Sequence, residues 1–284
     1  MELAYRILNV FTVAGLRLSG NPLCVFEDAR GLDAATMQAL ARQFNLAETS
    51  FILPAVAPGA TARVRIFTPS FEMPFAGHPT LGTAEVLRAL RGGGDRVVLE
   101  LPAGLVEVTA LADRWTLRAA RAPLTGAPEA GPDQLSAMLG LPAGSVRRPL
   151  WVDTGVAQLV LPLGAAEQVR AIRPDLALLL RHARQPGGGE VMALAWAPDG
   201  PGRALARFFS VELGALVEDP ATGSACANLG GWHLAIGAPT PLKLTVSQGE
   251  AVGRPSRLTL AVDAAQAIFV SGQVIELGAG RLRL

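Results

Sequence analysis

Three titratable side chains stand where proton-transfer chemistry is feasible. His78 and Asp219 each come directly before a proline and a run of small residues, a pattern typical of a helix start. The N-terminus of a helix presents unpaired N–H groups and a partial positive charge, so it binds carboxylates or developing anions. Glu48 precedes a strongly apolar segment, and apolar surroundings raise the pKa of a carboxyl toward the range of a base working near neutral pH. These residue types indicate acid/base catalysis.

Each of the three also has a purely structural interpretation. His78 could be a capping histidine, Asp219 an ordinary helix N-cap residue, and Glu48 a surface glutamate. Glu218, beside Asp219, is expected to be solvated.

An internal repeat favours functional roles for two of them. His78–Ala84 aligns with Asp219–Ala225 without a gap, and the two segments share proline, glycine and alanine. Upstream, Arg65–Thr68 matches Arg207–Ser210 at nearly the same offset, close to half of the 284 residues. Duplication is the favoured explanation. If a pseudo-two-fold axis relates the halves, both helix starts face one cleft.

The pattern around the repeat predicts the same elements in both halves. Residues 63–68 and 203–210 alternate polar and apolar side chains, as half-buried strands do. Helices are expected over 80–91 and 222–236, each with little charge on any face, so each is expected to be wrapped by sheet. Pro79 and Pro220 are expected in their first turns. Three glycines would let the backbone approach a ligand closely: Gly77, Gly82 and Gly223.

Short strands dominate the rest of the chain. A further helix is expected over 34–44 after the capping candidate Asp33, and a short one near 133–139. Many strands with few, central helices predict an α+β architecture of two related halves. We expect residues 1–122 with 276–284 to form one domain and 123–275 the other. The remaining strands are expected over 49–53, 97–101, 105–109, 115–119, 151–153, 157–162, 190–196, 243–247, 257–262 and 267–275.

Composition argues against several classes of protein. Half of the residues are hydrophobic, which predicts a packed globular protein. The formal net charge of +1 gives no excess of positive charge that would favour binding to nucleic acid or an anionic membrane. No membrane span or signal peptide is recognisable, so a cytoplasmic protein is expected. A pyridoxal-phosphate enzyme needs a lysine, and the single one, Lys243, lies in a strand-like pattern. The three histidines show no metal-site spacing, so no metal or organic cofactor is expected.

Six segments form a recognisable set: Asn9–Thr12, Gly20–Val25, Ala47–Phe51, Thr68–Ala84, Glu218–Ala225 and Gln248–Ser256. Together they resemble the phenazine-biosynthesis-like (PhzF-like) family, a branch of the diaminopimelate-epimerase-like fold. The resemblance runs nearly end to end, and its most specific blocks are His-Pro-Thr from His78 and Asp-Pro-Ala-Thr-Gly-Ser from Asp219.

The resemblance implies two pseudo-symmetric domains, each a curved, barrel-like sheet around a central helix, with the active site in the cleft between them and commonly a homodimer. It implies that Glu48 moves a proton between carbon atoms, with His78 and Asp219 assisting. The carboxylate of a small-molecule substrate would be bound through backbone N–H and hydroxyl groups of Gly77, Gly223 and Ser224. Without a metal or pyridoxal group, the substrate itself must help to stabilise the carbanion or enol.

Two features narrow the function that the resemblance implies. Racemases of this fold use two facing thiols, one at each helix start, whereas Cys24 and Cys226 are both expected in the core. Many relatives have serine before the catalytic glutamate, where this chain has Ala47, so the phenazine-pathway substrate itself is not implied. The sequence predicts a cofactor-independent isomerase or epimerase. A non-catalytic small-molecule receptor, or a lyase or hydrolase with the same base, is the alternative.

Overall fold

The chain forms two compact units in a computed structural model that describes all 284 residues. Unit 1 comprises Met1–Arg118 and Ser271–Leu284, and unit 2 comprises Ala119–Val270. The chain therefore crosses between the units after Arg118 and after Val270. The crossings expected from the sequence lie a few residues later, after residues 122 and 275. Strands dominate both units, which confirms the predicted α+β class.

Unit 1 is a ring of strands around one helix. Its elements are β1 (Glu2–Val10), β2 (Asn21–Phe26), α1 (Ala34–Phe44), β3 (Glu48–Leu53), β4 (Ala62–Phe67), β5 (Glu72–Met73), α2 (Gly77–Leu90), β6 (Arg96–Leu101), β7 (Gly104–Leu111), β8 (Arg114–Arg118) and most of the last strand, β17 (Ile268–Arg283). Pairing runs β1–β2–β3–β4–β6–β7–β8–β17 and returns to β1, which closes an eight-stranded barrel.

Helix α2 fills this barrel, because its side chains are apolar or small on nearly every face. It contacts β1, β2, β3, β6 and β8. A Cβ atom on Gly82 would lie 2.4 Å from Cδ2 of Leu23 and 3.1 Å from Cγ2 of Val10, so only glycine allows the helix to pack this closely. Gly82 therefore serves packing, and the expectation that it opens the backbone to a ligand was wrong.

Helix α1 lies outside the barrel and was predicted with correct bounds. Asp33 caps its start by accepting a 2.8 Å hydrogen bond from the backbone N–H of Thr36. Asn45 ends it in the left-handed conformation, with φ 51°. The helix packs on an aromatic cluster in which the rings of Phe26 and Phe51 stack at 4.9 Å.

Unit 2 wraps its sheet around a second apolar helix. Its elements are β9 (Leu124–Gly126), α3 (Pro132–Met138), β10 (Leu150–Asp153), β11 (Ala157–Pro162), α4 (Ala166–Ala171), α5 (Leu176–His182), β12 (Met192–Pro198), β13 (Arg203–Glu212), β14 (Ala215–Asp219), α6 (Gly223–Ala235), β15 (Leu242–Gln248), β16 (Ser256–Val262) and the start of β17. Pairing runs β9–β10–β11–β12–β13–β15–β16–β17, with β14 attached to β13. Helix α6 contacts β9, β10, β11 and β16.

The two units repeat one order of elements, as the sequence predicts. In unit 1 a parallel pair, β2 and β3, flanks α1, and a second parallel pair, β4 and β6, flanks α2. In unit 2 the parallel pair β11 and β12 flanks α4 and α5, and β13 and β15 flank α6. Each unit thus has a central helix that crosses between parallel strands.

Candidate active site

The hairpin before each central helix fixes how the two halves correspond. In unit 1, Arg65 donates two hydrogen bonds to the carboxylate of Glu72, at 2.6 and 2.5 Å. In unit 2, Arg207 donates two to Glu218, at 3.0 and 2.7 Å. Each guanidinium also lies over the phenylalanine two residues later, at 5.1 and 5.0 Å from the ring centroids. Glu72 therefore corresponds to Glu218.

This correspondence corrects the register of the repeat. The segment from Arg207 to Glu218 is longer than that from Arg65 to Glu72 because the β13–β14 hairpin extends further than β4–β5. Beyond the hairpins, Glu72–His78 aligns with Glu218–Ser224, and glutamate, proline and glycine coincide. The gapless alignment of His78 with Asp219 was therefore wrong.

His78 instead corresponds to Ser224, since each is the second residue of its central helix. Asp219 is the last residue of β14, and Thr222 is the N-cap of α6. Pro79 lies in the first turn of α2 as predicted, but Pro220 precedes the N-cap and lies outside α6. Glu218 is paired with Arg207 and largely buried, so the expectation that it is solvated was also wrong.

Glu48 is the first residue of β3 and lies beside the start of α2. Its side chain is only 15% exposed, and its Oε2 lies 3.4 Å from Nε2 of His78. The five residues that follow it in the strand are buried. The chain therefore places a carboxylate at the junction of an apolar strand and a helix N-terminus, and the interpretation as a surface glutamate was wrong.

His78 is 4% exposed and held from two sides. Its Nδ1 lies 3.3 Å from Nδ2 of Asn21, and the ring is hydrogen-bonded to the backbone carbonyl of Pro22. Burial lowers its pKa to about 3, although the Pro22 contact and the nearby Glu48 favour the charged ring. The imidazole is therefore neutral near pH 7, with one ring nitrogen that can donate a hydrogen bond and one that can accept.

The backbone at both helix starts lacks a side-chain cap. Ala76 and Thr222, the N-cap residues of α2 and α6, form no capping hydrogen bond. Gly77 and Gly223 are the first residues of the two helices, and both are buried. First-turn N–H groups without a cap are suited to bind an anion.

Asp219 ends β14, and hydrogen bonds fix the short loop that leads from it to α6. Its carboxylate accepts a hydrogen bond from the hydroxyl of Thr222. Gln248 donates 2.7 Å to the Asp219 carbonyl and 3.0 Å to the Thr222 hydroxyl. The Gln248–Ser256 segment that carries the resemblance thus has a physical role, because it holds the loop that presents Asp219.

Ser224 is joined to polar residues that the sequence analysis missed. Gln158 donates a 2.9 Å hydrogen bond to Oγ of Ser224, and Asn228 contacts Gln158 in turn. Both amides lie in otherwise apolar elements, β11 and α6. An isolated buried amide between apolar residues is the signal that could have found them, since such groups need partners.

The two cysteines lie in the core, as predicted. Cys24 is fully buried in β2 and Cys226 is buried in α6. Burial raises the pKa of both thiols, so neither forms a thiolate near pH 7.

The model of the family described as phenazine biosynthesis-like protein (PhzC-PhzF) matches residues 8–280. The chain belongs to this family. Over 279 residues, this PhzF-family chain is 38% identical to an uncharacterized isomerase of Pasteurella multocida, with 98% of the chain and 93% of the relative covered. It is 34% identical to the trans-2,3-dihydro-3-hydroxyanthranilate isomerase of Pseudomonas aeruginosa, with 99% of each covered. A solved structure of a predicted epimerase from Pseudomonas aeruginosa is 31% identical, with a TM-score of 0.81 and 99% of each chain covered.

These relatives identify the PhzF-family chain as an isomerase on an epimerase-like fold, as predicted. None of its helices combines the length and apolar character that a membrane crossing requires.

Proposed function

We propose that this isomerase moves a proton between two carbon atoms of a small carboxylate-bearing substrate, with Glu48 as the acid/base and without a metal or organic cofactor. The observation that carries the proposal is the 3.4 Å separation of Glu48 Oε2 and His78 Nε2 beside the uncapped start of α2. A buried carboxylate next to a neutral imidazole can hold a proton and release it, which a purely structural pair does not require.

The start of α6 is suited to bind the substrate's carboxylate. Gly223 and Ser224 offer first-turn N–H groups, and Ser224 adds a hydroxyl. Hydrogen bonds to a charged group contribute about 1.5–3 kcal/mol each, so two or three of them would orient a small acid. Gly77 offers the same kind of donor at the start of α2.

The proton balance needs only one base. Glu48 removes a proton from a substrate carbon, and the electrons of the broken C–H bond move into an adjacent unsaturated system. The resulting Glu48 carboxylic acid, whose proton can exchange with solvent, then delivers a proton to a different carbon, and the double bond shifts. A positioned base contributes about 10²–10⁴-fold to the rate. The negative charge that develops meanwhile would be stabilised by hydrogen-bond donors such as the first-turn N–H groups, which preorganised groups do most effectively. His78 and Asp219 would assist the proton transfer.

The name of one relative points to a class of substrate. The relative from Pseudomonas aeruginosa is named for trans-2,3-dihydro-3-hydroxyanthranilate, an unsaturated ring that carries a carboxylate. We propose an unsaturated carboxylic acid of that size here. Ala47, directly before Glu48, has no hydroxyl to offer a substrate, whereas the family resemblance implies serine there, so a different member of this class is expected to react best.

The test is isotope exchange in deuterated water. Trans-2,3-dihydro-3-hydroxyanthranilate and a panel of cyclic and α,β-unsaturated acids are incubated with the enzyme, and carbon-bound deuterium is followed by NMR. Wild type is expected to introduce deuterium at carbon in at least one acid, and Glu48→Gln is expected not to. Absence of both carbon-bound deuterium and isomerised product with every acid, or equal exchange by Glu48→Gln, would contradict the proposal.

A further inference from the structure

Ser224 stands at the end of a chain of buried hydrogen bonds in unit 2. Thr154, Asn228 and Gln158 form the chain, and Asn228 and Gln158 are 0% and 1% exposed. Two contacts join Thr154 to Asn228, one joins Asn228 to Gln158, and one joins Gln158 to Ser224. Every link is a hydrogen bond between 2.7 and 3.0 Å.

Two backbone groups fix the orientation of the Asn228 amide. The backbone N–H of Thr154 can only donate, and it lies 3.0 Å from Oδ1 of Asn228. The backbone carbonyl of Val156 can only accept, and it lies 2.8 Å from Nδ2 of Asn228. Exchanging oxygen and nitrogen would place two donors together and two acceptors together, so only this orientation of the amide satisfies both neighbours.

The Asn228 amide fixes Gln158 in turn. Its Nδ2 donates to Oε1 of Gln158 at 2.9 Å, so the nitrogen of Gln158 must face the other way. That nitrogen donates to Oγ of Ser224 at 2.9 Å and lies 4.0 Å from the sulfur of Met192, a weak acceptor. The Ser224 oxygen therefore accepts a hydrogen bond from within the unit, and its own hydrogen is free to point elsewhere.

We propose that Gln158 and Asn228 are positioning residues that hold the Ser224 hydroxyl as a hydrogen-bond donor to the substrate's carboxylate. This inference rests on the proposed function for its ligand, whereas the hydrogen-bond chain itself does not depend on a ligand. A hydroxyl that can rotate freely serves donors and acceptors alike, but one whose oxygen is already occupied favours an acceptor. The chain of hydrogen bonds that ends at Ser224 thus favours binding of a carboxylate over a neutral amide that presents N–H groups.

Neutron diffraction from a crystal of the unliganded protein, soaked in deuterated water, tests the chain directly. We expect one deuterium of Gln158 Nε2 to point at Oγ of Ser224, and the Ser224 deuterium to point away from Gln158. A Ser224 deuterium on the line to Gln158 would overturn the inference. This measurement does not depend on catalysis, so it separates failure of this chain of hydrogen bonds from failure of the proposed function.

Binding of anthranilate, with 2-aminobenzamide as the neutral counterpart, tests the consequence. In Gln158→Glu the new carboxylate accepts a hydrogen bond from the Ser224 hydroxyl and turns its O–H toward residue 158. Anthranilate affinity is therefore expected to fall roughly 10- to 100-fold at pH 8. Gln158→Met only releases the hydroxyl, and a smaller loss is expected. Lowering the pH protonates the new carboxyl, which can then donate to Ser224, so affinity is expected to recover in Gln158→Glu but not in Gln158→Met.

Ser224→Ala separates orientation from charge. When Ser224→Ala is also present, Gln158→Glu and Gln158→Met are expected to bind anthranilate with nearly the same affinity, because no hydroxyl remains to be reversed. If Gln158→Glu weakens anthranilate binding equally with and without the Ser224 hydroxyl, charge repulsion alone explains the loss, and the inference is contradicted. If wild type binds neither anthranilate nor 2-aminobenzamide, the proposed substrate class is contradicted. The neutron map alone then decides whether Gln158 donates to Ser224.

Discussion

Glu48 and Met192 occupy equivalent positions in the two units. Each is the first residue of its strand, and the residue after each, Thr49 or Ala193, pairs with the phenylalanine that lies under the hairpin guanidinium. One unit therefore carries an ionisable side chain at this position, and the other carries a thioether that cannot transfer a proton. Under the proposed mechanism, one side chain both removes and returns the proton, on one face of the substrate.

Glu48→Gln is expected to lower kcat by about 10²–10⁴-fold, because the amide keeps the shape of the side chain and cannot act as a base. Glu107→Gln, an exposed glutamate on β7, is the matched control and is expected to leave kcat unchanged. Steady-state rates with the best acid from the exchange panel check this prediction. Equal rates in the two variants would remove Glu48 from the mechanism.

Gly249→Ala is expected to impair both folding and catalysis. With φ +81°, a Cβ here would lie 2.2 Å from the carbonyl oxygen of Arg254 and 2.7 Å from that of Pro220. Neither oxygen can rotate away, so the loop that carries Asp219 must shift. Gly253→Ala, with φ +69° and open space, is the control and is expected to cost only about 1–2 kcal/mol. Urea unfolding and kcat measure the two effects, and similar results for both variants would refute the steric argument.

Arg207→Met is expected to destabilise the protein more than Arg65→Met. The Arg207 side chain is 10% exposed, and it also donates to the carbonyls of Val169 and Ile172, whereas Arg65 is 21% exposed. Stranding Glu218 in a buried position is expected to cost about 3–5 kcal/mol, and breaking the more exposed pair about 1 kcal/mol. Free energies of unfolding from urea titrations check the order. A larger loss of unfolding free energy in Arg65→Met than in Arg207→Met would contradict this prediction.

Acid is expected to destabilise the protein partly through His233. Burial against Trp196 and Trp232 lowers the pKa of His233 from 6.5 to about 4, so the unfolded chain takes up a proton that the folded chain does not. The stability that this residue contributes is therefore complete above pH 6.5 and is lost as the pH falls toward 4, by at most about 1.4 kcal/mol per pH unit. His233→Phe is expected to flatten the fall of the unfolding free energy over this range. An unchanged slope would show that His233 does not contribute.

The two thiols are expected to be inert in the folded protein. Because Cys24 and Cys226 are buried and their pKa values are raised, a thiol reagent should label them only as fast as the protein opens. The double variant Cys24→Ala/Cys226→Ala is expected to retain kcat, although it loses some stability. Rapid labelling of the native state, or loss of turnover in the correctly folded variant, would support thiol chemistry instead.

Strong local patterns made much of the fold predictable. Asp33 and the helix it caps were placed correctly, and the two charge-poor helices are the ones that the sheets enclose. Most strands lie within two or three residues of their expected positions, since alternation of apolar residues follows the pleat. Strands β1, β2, β5, β9 and β14 and helices α4 and α5 were missed. All of these except β1 are short or nearly fully buried, and such segments carry weak periodicity.

The catalytic and substrate-binding residues named from the sequence stay a prediction, and the correspondence between the two halves was predicted wrongly. A gapless comparison aligned His78 with Asp219, because the extra length of the β13–β14 hairpin is invisible to it. Glu72-Met-Pro-Phe-Ala-Gly and Glu218-Asp-Pro-Ala-Thr-Gly share three residues and reveal the register once a gap is allowed. The amides of Gln158 and Asn228 were missed because their importance lies in which atoms they face, and that depends on tertiary packing.

The last strand also limits how the chain can be divided. In β17, residues between Val274 and Arg283 pair with β1, and β17 also pairs with β8, so the barrel of unit 1 closes only with the C-terminal segment. A fragment ending at Arg118 would leave two unpaired strand edges, on β1 and on β8, ready to pair with neighbouring molecules. Expressing the first half of the gene by itself should therefore give aggregates, whereas the same fragment supplied with the C-terminal peptide in trans has the missing strand available.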